Sequence, residues 1–429
     1  MFQLRKIRGS ELVLLLLYAL AGIDCTGPSE PNVTMNPEIM MELRDVGYDY
    51  YSVSLVVKSR DVVDVLVVHA DDTLCHLKSS LVDTIITKAS LQPSSDYMCR
   101  LVVVAACGKI DTSSFCVHTK DTVSCMFTWS SYSIGRSASI IEDLYEAQNG
   151  VIGFVGEFID DTFWNYVELV DGALSKKKIP FMVNVLGVPR ELTQVRITAV
   201  YRSNEADMWY GCKTGSVTRK YGDSTRMYYS EDTGMGWVTS IDGIEGDIYF
   251  TTTTGIYVYK NEVISLIYKP DAGSFVDAWQ CGETLYAITS GRDLNEDAST
   301  VVKIKHGIVE VIAREGMRKN MQSIWTADGS KIYCAGGYLL MYDGVKWYQD
   351  NDLSRYFIEK IRGTSYDNIV LAGHGGTLEH YNGFRWNYIP NVPDLGVSIY
   401  NALLVCEDHI VVAGCTTSAA NILIGRLKH

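Results

Sequence analysis

One pattern of strand-forming residues, glycine and aromatic residues occurs twice between residues 321 and 390. The first copy contains residues 342–347 (YDGVKW) and the second contains residues 381–386 (YNGFRW), so equivalent positions lie 39 residues apart. Asp-Gly and Asn-Gly between alternating residues indicate tight hairpin turns, because both central residues of such a turn need positive φ. A repeated unit of about 40 residues built on such hairpins is typical of the four-stranded blades of a β-propeller.

Weaker copies of the same unit surround this pair. They cover residues 139–174, 195–229, 238–268, 275–312 and 399–427, which brings the number of units in residues 126–429 to seven. The last unit contains only three strands, and residues 127–134 resemble the outer strands that begin at Trp347 and Trp386. We therefore predict an all-β chain with a seven-bladed propeller. Strand 127–134 pairs with residues 421–427 and closes the last blade, which leaves no open sheet edge.

Residues 39–121 contain short runs of β-branched residues that predict strands. Residues 91–97 (LQPSSDY) precede one of these runs. They resemble the Leu-x-Pro-x-x-x-Tyr corner of fibronectin type III domains, in which the tyrosine hydroxyl bonds to the backbone upstream. The resemblance implies a fibronectin type III-like β-sandwich. The usual tryptophan of the second strand is absent, so Tyr51 or Leu55 is expected to fill its place in the core. Another small β-sandwich with the same turn is the alternative.

The first 25 residues are typical of an export signal. Three basic residues among the first eight precede an apolar stretch, residues 12–23, which at about twelve residues is too short to span a bilayer as a helix. Cys25 is the predicted site of lipid attachment, and the proline-containing residues 26–38 are the predicted linker. Because Asp24 stands where a small residue is expected, a cleaved signal without lipid and an uncleaved anchor are the alternatives.

The whole chain resembles a family of uncharacterised bacterial lipoproteins. Members combine a lipoprotein signal, one fibronectin type III-like domain and a C-terminal β-propeller. Residues 91–97, 342–347 and 381–386 carry the resemblance, which spans nearly the entire chain. It implies an exported protein of the cell envelope, in the periplasm, at the outer membrane or at the cell surface. It implies no catalytic residues.

Charge and cysteine content limit the partners and the covalent chemistry. The net charge of −13 disfavours nucleic acid, because binding phosphate needs a basic surface. Export permits disulfides. One bridge or two among Cys75, Cys99, Cys107 and Cys116 are open possibilities, with Cys125 as a further partner. The cysteines show no CxxC pair and no zinc-like spacing.

The remaining chemical signals favour structural interpretations. Residues 230–237 (SEDTGMGW) nearly match the Asp-box of sialidase-like propellers, which is itself a turn. His374 and His380 lie close in sequence, but a metal site needs three or four converging ligands. The acidic pair Asp160-Asp161 fits a solvated loop. We therefore predict no catalytic residue, no cofactor and no metal site.

These patterns predict a binding or scaffold protein rather than an enzyme. A rigid ring with irregular loops would present one face to a protein or glycan partner, and a lipid anchor would supply the contact with the membrane. The alternative is a glycosidase or lyase that acts on polysaccharides, which would need charged residues converging on the central funnel of the propeller. The irregular segments near Leu186, Asp232 and Asp293 are the predicted places for a binding surface.

Overall fold

The structure of the chain, a computed structural model, describes most residues from 32 onward. The described ranges are 32–36, 39–47, 50–58, 62–69, 72–78, 82–105, 110–147, 149–244, 246–291, 299–312, 317–318, 320–350 and 356–428. The predicted signal and its Cys25 lie outside them. The chain divides into two compact units, Met1–Val123 and Ser124–His429. Within the described residues, no helix has the length and apolar character needed to cross a membrane.

The first unit consists of two four-stranded antiparallel sheets. One has the strand order β1-β2-β3-β6 and the other has the order β5-β4-β7-β8. Side chains from both sheets, among them Leu55, Leu101 and Phe115, form one buried core. The strands are β1 Asn32–Asn36, β2 Ile39–Val46, β3 Tyr51–Val57, β4 Val62–His69, β5 Asp72–Leu77, β6 Val82–Lys88, β7 Asp96–Ala105 and β8 Ile110–His118.

The predicted tyrosine corner connects the two sheets of this unit. Tyr97 lies in β7, and its hydroxyl oxygen accepts a 2.7 Å hydrogen bond from the backbone N–H of Gln92. Leu91 is buried beneath the turn. Tyr51 and Leu55, the candidates for the missing tryptophan, are both fully buried in the core. The upstream backbone bond predicted for Tyr97 is therefore present.

The predicted linker and the possible disulfides are the two sequence expectations on which the structure bears here. Residues 32–36, predicted as linker, form β1 and pair with β2. A segment without apolar periodicity can join an open sheet edge because backbone hydrogen bonds alone suffice for pairing. Cys75, Cys99 and Cys125 are free thiols, and Cys107 lies outside the described residues.

The second unit contains seven four-stranded antiparallel sheets and one two-stranded hairpin within the described residues. In every four-stranded sheet the strands follow each other in order along the chain, except that the last sheet takes its outer strand from the start of the unit. The sheets are β10 Ile140–Glu146, β11 Ile152–Ile159, β12 Phe163–Val170 and β13 Ala173–Lys177; β16 Ile197–Asn204, β17 Asp207–Cys212, β18 Val217–Tyr221 and β19 Ser224–Tyr228; β20 Val238–Ile244, β21 Asp247–Thr252, β22 Gly255–Lys260 and β23 Val263–Tyr268; β24 Ser274–Cys281, β25 Thr284–Ser290, β26 Val301–Lys305 and β27 Ile308–Val311; β28 Met321–Trp325, β29 Ile332–Gly336, β30 Leu339–Tyr342 and β31 Trp347–Asp350; β32 Ile358–Ser365, β33 Asn368–Gly373, β34 Leu378–Tyr381 and β35 Trp386–Tyr388; and β36 Ile399–Val405, β37 His409–Cys415, β38 Ala420–Leu427 and β9 Phe127–Ile134. The hairpin is β14 Phe181–Val185 with β15 Val188–Leu192, and one helical turn, α1, spans Ser230–Thr233.

The pairing predicted for residues 127–134 is present. Strand β9 pairs antiparallel with β38 along its whole length, from Ile134 opposite Ala420 to Phe127 opposite Leu427. The first strand of each sheet also contacts the first strand of the next, and β36 of the last sheet contacts β10 of the first. We call these seven strands the inner strands: β10, β16, β20, β24, β28, β32 and β36.

The hairpin motif of the repeat makes the same contacts in both copies. A side-chain oxygen of Asp343, and of Asn382 in the second copy, accepts hydrogen bonds from the backbone N–H groups two and three residues further on. The hydroxyls of Tyr342 and Tyr381 each donate to the carbonyl oxygen of the turn glycine at 3.0 Å. Trp347 is buried in a cluster that joins two neighbouring sheets. The repeated residues therefore build turns and sheet packing.

Every inner strand carries a β-bulge near its beginning. The register shifts at the bulge residues Glu142, Thr198, Thr239, Val276, Gln322, Glu359 and Asn401, one in each four-stranded sheet. A bulge inserts one unpaired residue, bends the strand and turns a side chain out of the ordinary alternation. We call these seven residues the bulge ring.

In four of the sheets, a glycine of the second strand lies against the start of the bulge. Gly156, Gly336, Gly373 and Gly414 lie opposite the residue that precedes each bulge. A Cβ atom on any of them would lie only 2.0 to 2.2 Å from a backbone carbonyl oxygen at the start of the inner strand. No real Cβ approaches an oxygen so closely, so the two backbones can meet only where the side chain is missing.

Replacing one of these glycines tests this close approach. We expect Gly336→Ala to lower the free energy of unfolding by about 2 kcal/mol or more, because a backbone carbonyl cannot move aside as a side chain can. The measurement is urea unfolding followed by tryptophan fluorescence, which reports on the second unit because all eight Trp residues lie there.

The adjacent glycine of the same motif supplies the control. A Cβ on Gly337 would meet nothing closer than 3.8 Å. Gly337→Ala should therefore change the stability by no more than about 0.5 kcal/mol. Equal losses in both variants would contradict the proposed role of the bulge.

Candidate functional site

A cavity of about 350 Å³ lies inside the inner strands of the second unit. All seven residues of the bulge ring line it, so each four-stranded sheet contributes one side chain from the same structural position. The other lining residues are Arg196, Trp237, Thr253, Ser274, Phe275 and Lys360. We call this space the axial cavity. Because the bulges direct these side chains inward, the site is a property of the complete ring and not of any single loop.

The axial cavity carries both signs of charge. The guanidinium of Arg196 pairs with the carboxylate of Glu142. At another residue of the bulge ring, Oε1 of Glu359 lies 2.7 Å from Nε2 of His374. Lys360 extends from the cavity lining to Asp277, with its Nζ 2.8 Å from the Asp277 carboxylate. The cavity thus combines acidic, basic and aromatic side chains in a small volume.

Apart from Oε1 of Glu142, which the Arg196 guanidinium contacts as an ion pair, two polar atoms of the cavity lining are buried without a hydrogen-bond partner among the described residues. One is the donor Nε of Arg196, and the other is the acceptor Oδ1 of Asn401. A buried donor or acceptor that remains unpaired costs about 1 to 3 kcal/mol. A ligand that offers both a carbonyl oxygen and an N–H group would satisfy both atoms.

Asp277 is the centre of a buried ionic cluster next to the cavity. Its carboxylate accepts hydrogen bonds from the hydroxyl of Ser323 at 2.6 Å, from Nζ of Lys360 at 2.8 Å and from the guanidinium of Arg362 at 3.1 and 3.2 Å. Burial alone would raise the pKa of Asp277, but Arg362 and Lys360 outweigh burial and hold the pKa well below its usual range. The charges of this cluster are therefore satisfied within the protein.

Two further carboxyl groups belong to the same cluster. Burial raises the pKa of Asp242 to about 6, with a smaller contribution from the charge of Asp277, although the Ser240 hydroxyl donates to Asp242 at 2.9 Å. Burial also raises the pKa of Asp143, whose carboxylate accepts a 3.0 Å hydrogen bond from the backbone N–H of Val200. Three carboxyl groups face two cations, and protonation of Asp242 relieves the excess negative charge. Neither Asp143 nor Asp242 lines the axial cavity.

The two histidines considered as metal ligands have separate protein partners. Nε2 of His374 contacts Glu359, as described above. His380 is buried in β34, with its Nε2 2.8 Å from Oδ1 of Asn368. Burial lowers the pKa of His380 to about 4, so its imidazole is neutral at physiological pH.

The segment resembling an Asp-box forms a turn, as interpreted from the sequence, but its tryptophan has a different position. Residues 230–233 make the single helical turn α1, and Gly234 follows with a φ of 72°. The carbonyl oxygen of Gly234 accepts a 2.8 Å hydrogen bond from the hydroxyl of Tyr257. Trp237 lines the axial cavity instead of packing only between strands, and Nζ of Lys213 lies 4.8 Å from the centroid of its ring.

Of the three positions that the sequence suggested for a binding surface, Leu186 and Asp232 do not line the axial cavity. Leu186, at the tip of the β14–β15 hairpin, is an apolar side chain that is 99% exposed. Asp232 lies in α1, five residues before the cavity residue Trp237. Asp293 lies outside the described residues. Sequence reasoning missed the bulge ring, for which the glycines at the ends of the second strands were the available signal.

The structural comparisons show the fold of the second unit. The chain is similar to YCF48 bound to D1 peptide, with a TM-score of 0.54, 14% identity and coverage of 70% of this chain and 97% of that chain. It is also similar to YCF48 from Cyanidioschyzon merolae, with a TM-score of 0.51, 16% identity and coverage of 70% and 98%. A catalytically inactive virginiamycin B lyase from Staphylococcus aureus with quinupristin gives a TM-score of 0.52, 10% identity and coverage of 71% and 100%.

These similar proteins are β-propellers, and the chain therefore contains a β-propeller fold. Identities of 16% or less support the fold alone and no shared activity. The covered share of this chain is close to the share that the second unit occupies. No protein-family model and no curated protein sequence matches the chain.

The raised pKa of Asp242 predicts a specific pH dependence of stability. The ordinary pKa is 3.8 and the folded value is about 6, so the folded chain binds this proton more tightly than the unfolded chain. The contribution of Asp242 to the free energy of unfolding therefore falls as the pH rises from about 4 to about 7, by on the order of 3 kcal/mol, and stays constant at higher pH.

Asp242→Asn removes the titrating group and keeps the shape of the side chain. We expect the variant to lose the pH-dependent contribution of Asp242 to the free energy of unfolding and to be more stable than the wild type at pH 7.5. Urea unfolding by tryptophan fluorescence between pH 4.5 and 7.5 measures the difference. Identical pH dependence in the two proteins would contradict the assignment.

Proposed function

We propose that this chain is an exported, membrane-tethered binding protein whose seven-bladed propeller holds a peptide segment of a partner protein in the axial cavity. The single observation that carries the proposal is the pair of unpartnered polar atoms in the cavity lining, Nε of Arg196 and Oδ1 of Asn401. An extended peptide offers a carbonyl oxygen and an N–H group in every residue, so it can pair with both atoms at once.

The charge pattern of the cavity supports a peptide over a purely apolar ligand. Glu142, Glu359 and Arg196 provide both signs of charge, and Trp237 provides an aromatic surface. Aromatic residues and arginine are the side chains that most often dominate protein binding sites. That YCF48, a propeller of similar fold, has been observed with a bound peptide is consistent with this class of partner.

The first unit would serve as a spacer in this proposal. Its two sheets and the tyrosine corner at Tyr97 agree with a fibronectin type III-like β-sandwich. Together with a lipid on Cys25, such a domain would hold the propeller away from the membrane surface, in the periplasm or outside the cell. One lipid chain alone gives marginal, reversible membrane binding, so a stable anchor would need more than one acyl chain on that residue.

A polysaccharide-active enzyme is the second candidate, because the centre of the propeller does contain Asp, Lys and Arg residues. The buried cluster around Asp277, however, is satisfied internally, and only Lys360 of that cluster lines the cavity. The carboxylates available to a sugar ligand are Glu142 and Glu359, and each has a basic neighbour. An enzyme of this class would use these two residues as acid and base.

Selection of binding peptides tests the proposed function. A displayed random-peptide library screened on the intact chain should yield binders, and calorimetry with synthetic copies should give saturable binding. Gln322→Trp, which places a bulky ring in the axial cavity, should weaken that binding at least tenfold. The matched control is Val345→Trp, because Val345 is 75% exposed in a turn of the same sheet.

Each other outcome has a defined meaning. Peptides that bind Gln322→Trp as tightly as the wild type would exclude the axial cavity as the site. Failure to select any peptide, combined with retention or cleavage of an oligosaccharide on a glycan array, would favour the glycan partner or the enzyme.

The tether is tested separately at Cys25. Cells expressing the chain and fed a fatty-acid analogue should label the wild type and not Cys25→Ser, because the thiol is the attachment point. Surface protease treatment of the same cells distinguishes a periplasmic from a surface location. Label that persists in Cys25→Ser would remove this residue as the lipid site.

A further inference from the structure

Three potential metal ligands from the first and last sheets of the propeller converge at one point. Glu146 ends β10, Cys406 directly follows β36, and His409 begins β37. Oε2 of Glu146 lies 3.4 Å from Sγ of Cys406 and 3.0 Å from Nε2 of His409. The three potential ligand atoms all lie within 4.8 Å of one another.

The turn between β36 and β37 positions two of these side chains. The backbone N–H of Cys406 donates a 2.8 Å hydrogen bond to the carbonyl oxygen of His409 and closes a four-residue turn. The turn places the thiol and the imidazole next to each other with a Cys-x-x-His spacing. Glu146 reaches the same point from β10, which contacts β36 and β37.

His409 is oriented as a ligand. Its side chain is 8% exposed, and its Nδ1 lies 2.7 Å from Oδ1 of Asp408. A proton on Nδ1, donated to that carboxylate, leaves the lone pair of Nε2 directed at Glu146 and Cys406. Nε2 is buried and makes no hydrogen bond of acceptable geometry with any residue that the structure describes, although the Glu146 oxygen is only 3.0 Å away. A lone pair facing a carboxylate is repulsive unless a cation lies between them.

We propose that Glu146, Cys406 and His409 bind a zinc ion, with Asp408 positioning His409 from the second coordination sphere. Zinc in proteins takes four ligands at about 2.0 to 2.3 Å, and tetrahedral ligands then lie roughly 3.3 to 3.7 Å apart. The two distances to Glu146 are near this range. Imidazole and thiolate together favour zinc over the hard cations calcium and magnesium. The carboxylate partner of the second imidazole nitrogen is typical of metal-binding histidines.

The site would join the last four-stranded sheet of the ring to the first. Three protein ligands leave the fourth position for water or for a group from a ligand. Glu146 lies four residues along β10 from the bulge at Glu142, roughly 13 Å at the usual rise per residue. The zinc site is therefore separate from the axial cavity, and its occupancy does not depend on the proposed peptide binding.

Metal titration of the intact chain tests the site. The reduced protein is treated with a chelator, dialysed and titrated with zinc alone, and cobalt is used as a spectroscopic substitute. We expect one tightly bound ion per chain and a thiolate-to-cobalt charge-transfer band. Zinc should also raise the melting temperature, because a ligand that binds only the folded state stabilises it.

Four variants separate coordination from general effects. Cys406→Ser should lose the charge-transfer band and bind zinc at least a hundredfold more weakly, and His409→Gln should weaken binding comparably. Asp408→Asn should keep the stoichiometry and lower the affinity tenfold to a hundredfold. Cys281→Ser is the matched control, since this half-buried thiol of β24 contacts Ala327 and is remote from the cluster; it should bind like the wild type.

Two results would overturn the proposal. One is the absence of saturable zinc binding by the wild type. The other is a wild-type cobalt spectrum without the thiolate band, or a thiolate band that is still present in Cys406→Ser. Circular dichroism checks that each variant is folded, and the wild-type cobalt spectrum decides the question even if a variant does not fold.

Discussion

The close packing of seven strands around one axis is the constraint on which the second unit depends. Each inner strand has a β-bulge at the same position. In four sheets the residue opposite the start of the bulge is glycine, as at Gly336 and Gly373, and in the other three it is Cys212, Thr252 or Thr289. The same bulges turn one side chain per sheet into a shared space. The bulges of the closely packed inner strands thus also place the side chains that a ligand would contact.

Electrostatics beside the cavity divides the polar residues into two groups. Asp277, Lys360 and Arg362 satisfy one another, and Asp242 can hold a proton when the carboxyl groups are in excess. These groups stabilise the centre of the ring, and their charges already have partners within the protein. Arg196 and Asn401 retain unpaired atoms in the cavity lining and are therefore the groups from which binding specificity would come. A charged side chain near the centre of the ring is therefore not identified as functional by its charge and position alone.

The sequence predicted those features that depend on local chemistry. The Tyr-Asp-Gly and Tyr-Asn-Gly hairpins indicated the sheets, the missing fourth strand of the last unit indicated the pairing of β9 with β38, and residues 91–97 indicated the Tyr97 corner. Each rests on residues that act within one turn or one repeat. The short strand β1 was missed because its sequence has no apolar periodicity that would indicate a strand.

The candidate sites could not be predicted because they depend on the register of the strands and on distant parts of the chain. The bulge at Gln322 has no characteristic residue of its own. The sequence signal for it is the glycine of the next strand, Gly336. Glu146 lies 260 residues from Cys406 in sequence, so their contact appears only when the last sheet meets the first. The Cys-x-x-His spacing at residues 406–409 is a local signal for two of the three potential ligands, but it does not indicate Glu146.

The central claim is that the seven bulge residues form a binding site for an extended peptide. A crystal structure of the chain with a selected peptide tests this claim most directly. The account predicts peptide density in the axial cavity, with a peptide carbonyl oxygen at Nε of Arg196 and a peptide N–H at Oδ1 of Asn401. A peptide bound along an outer strand or at the β14–β15 hairpin, with both atoms still unpaired, would contradict it.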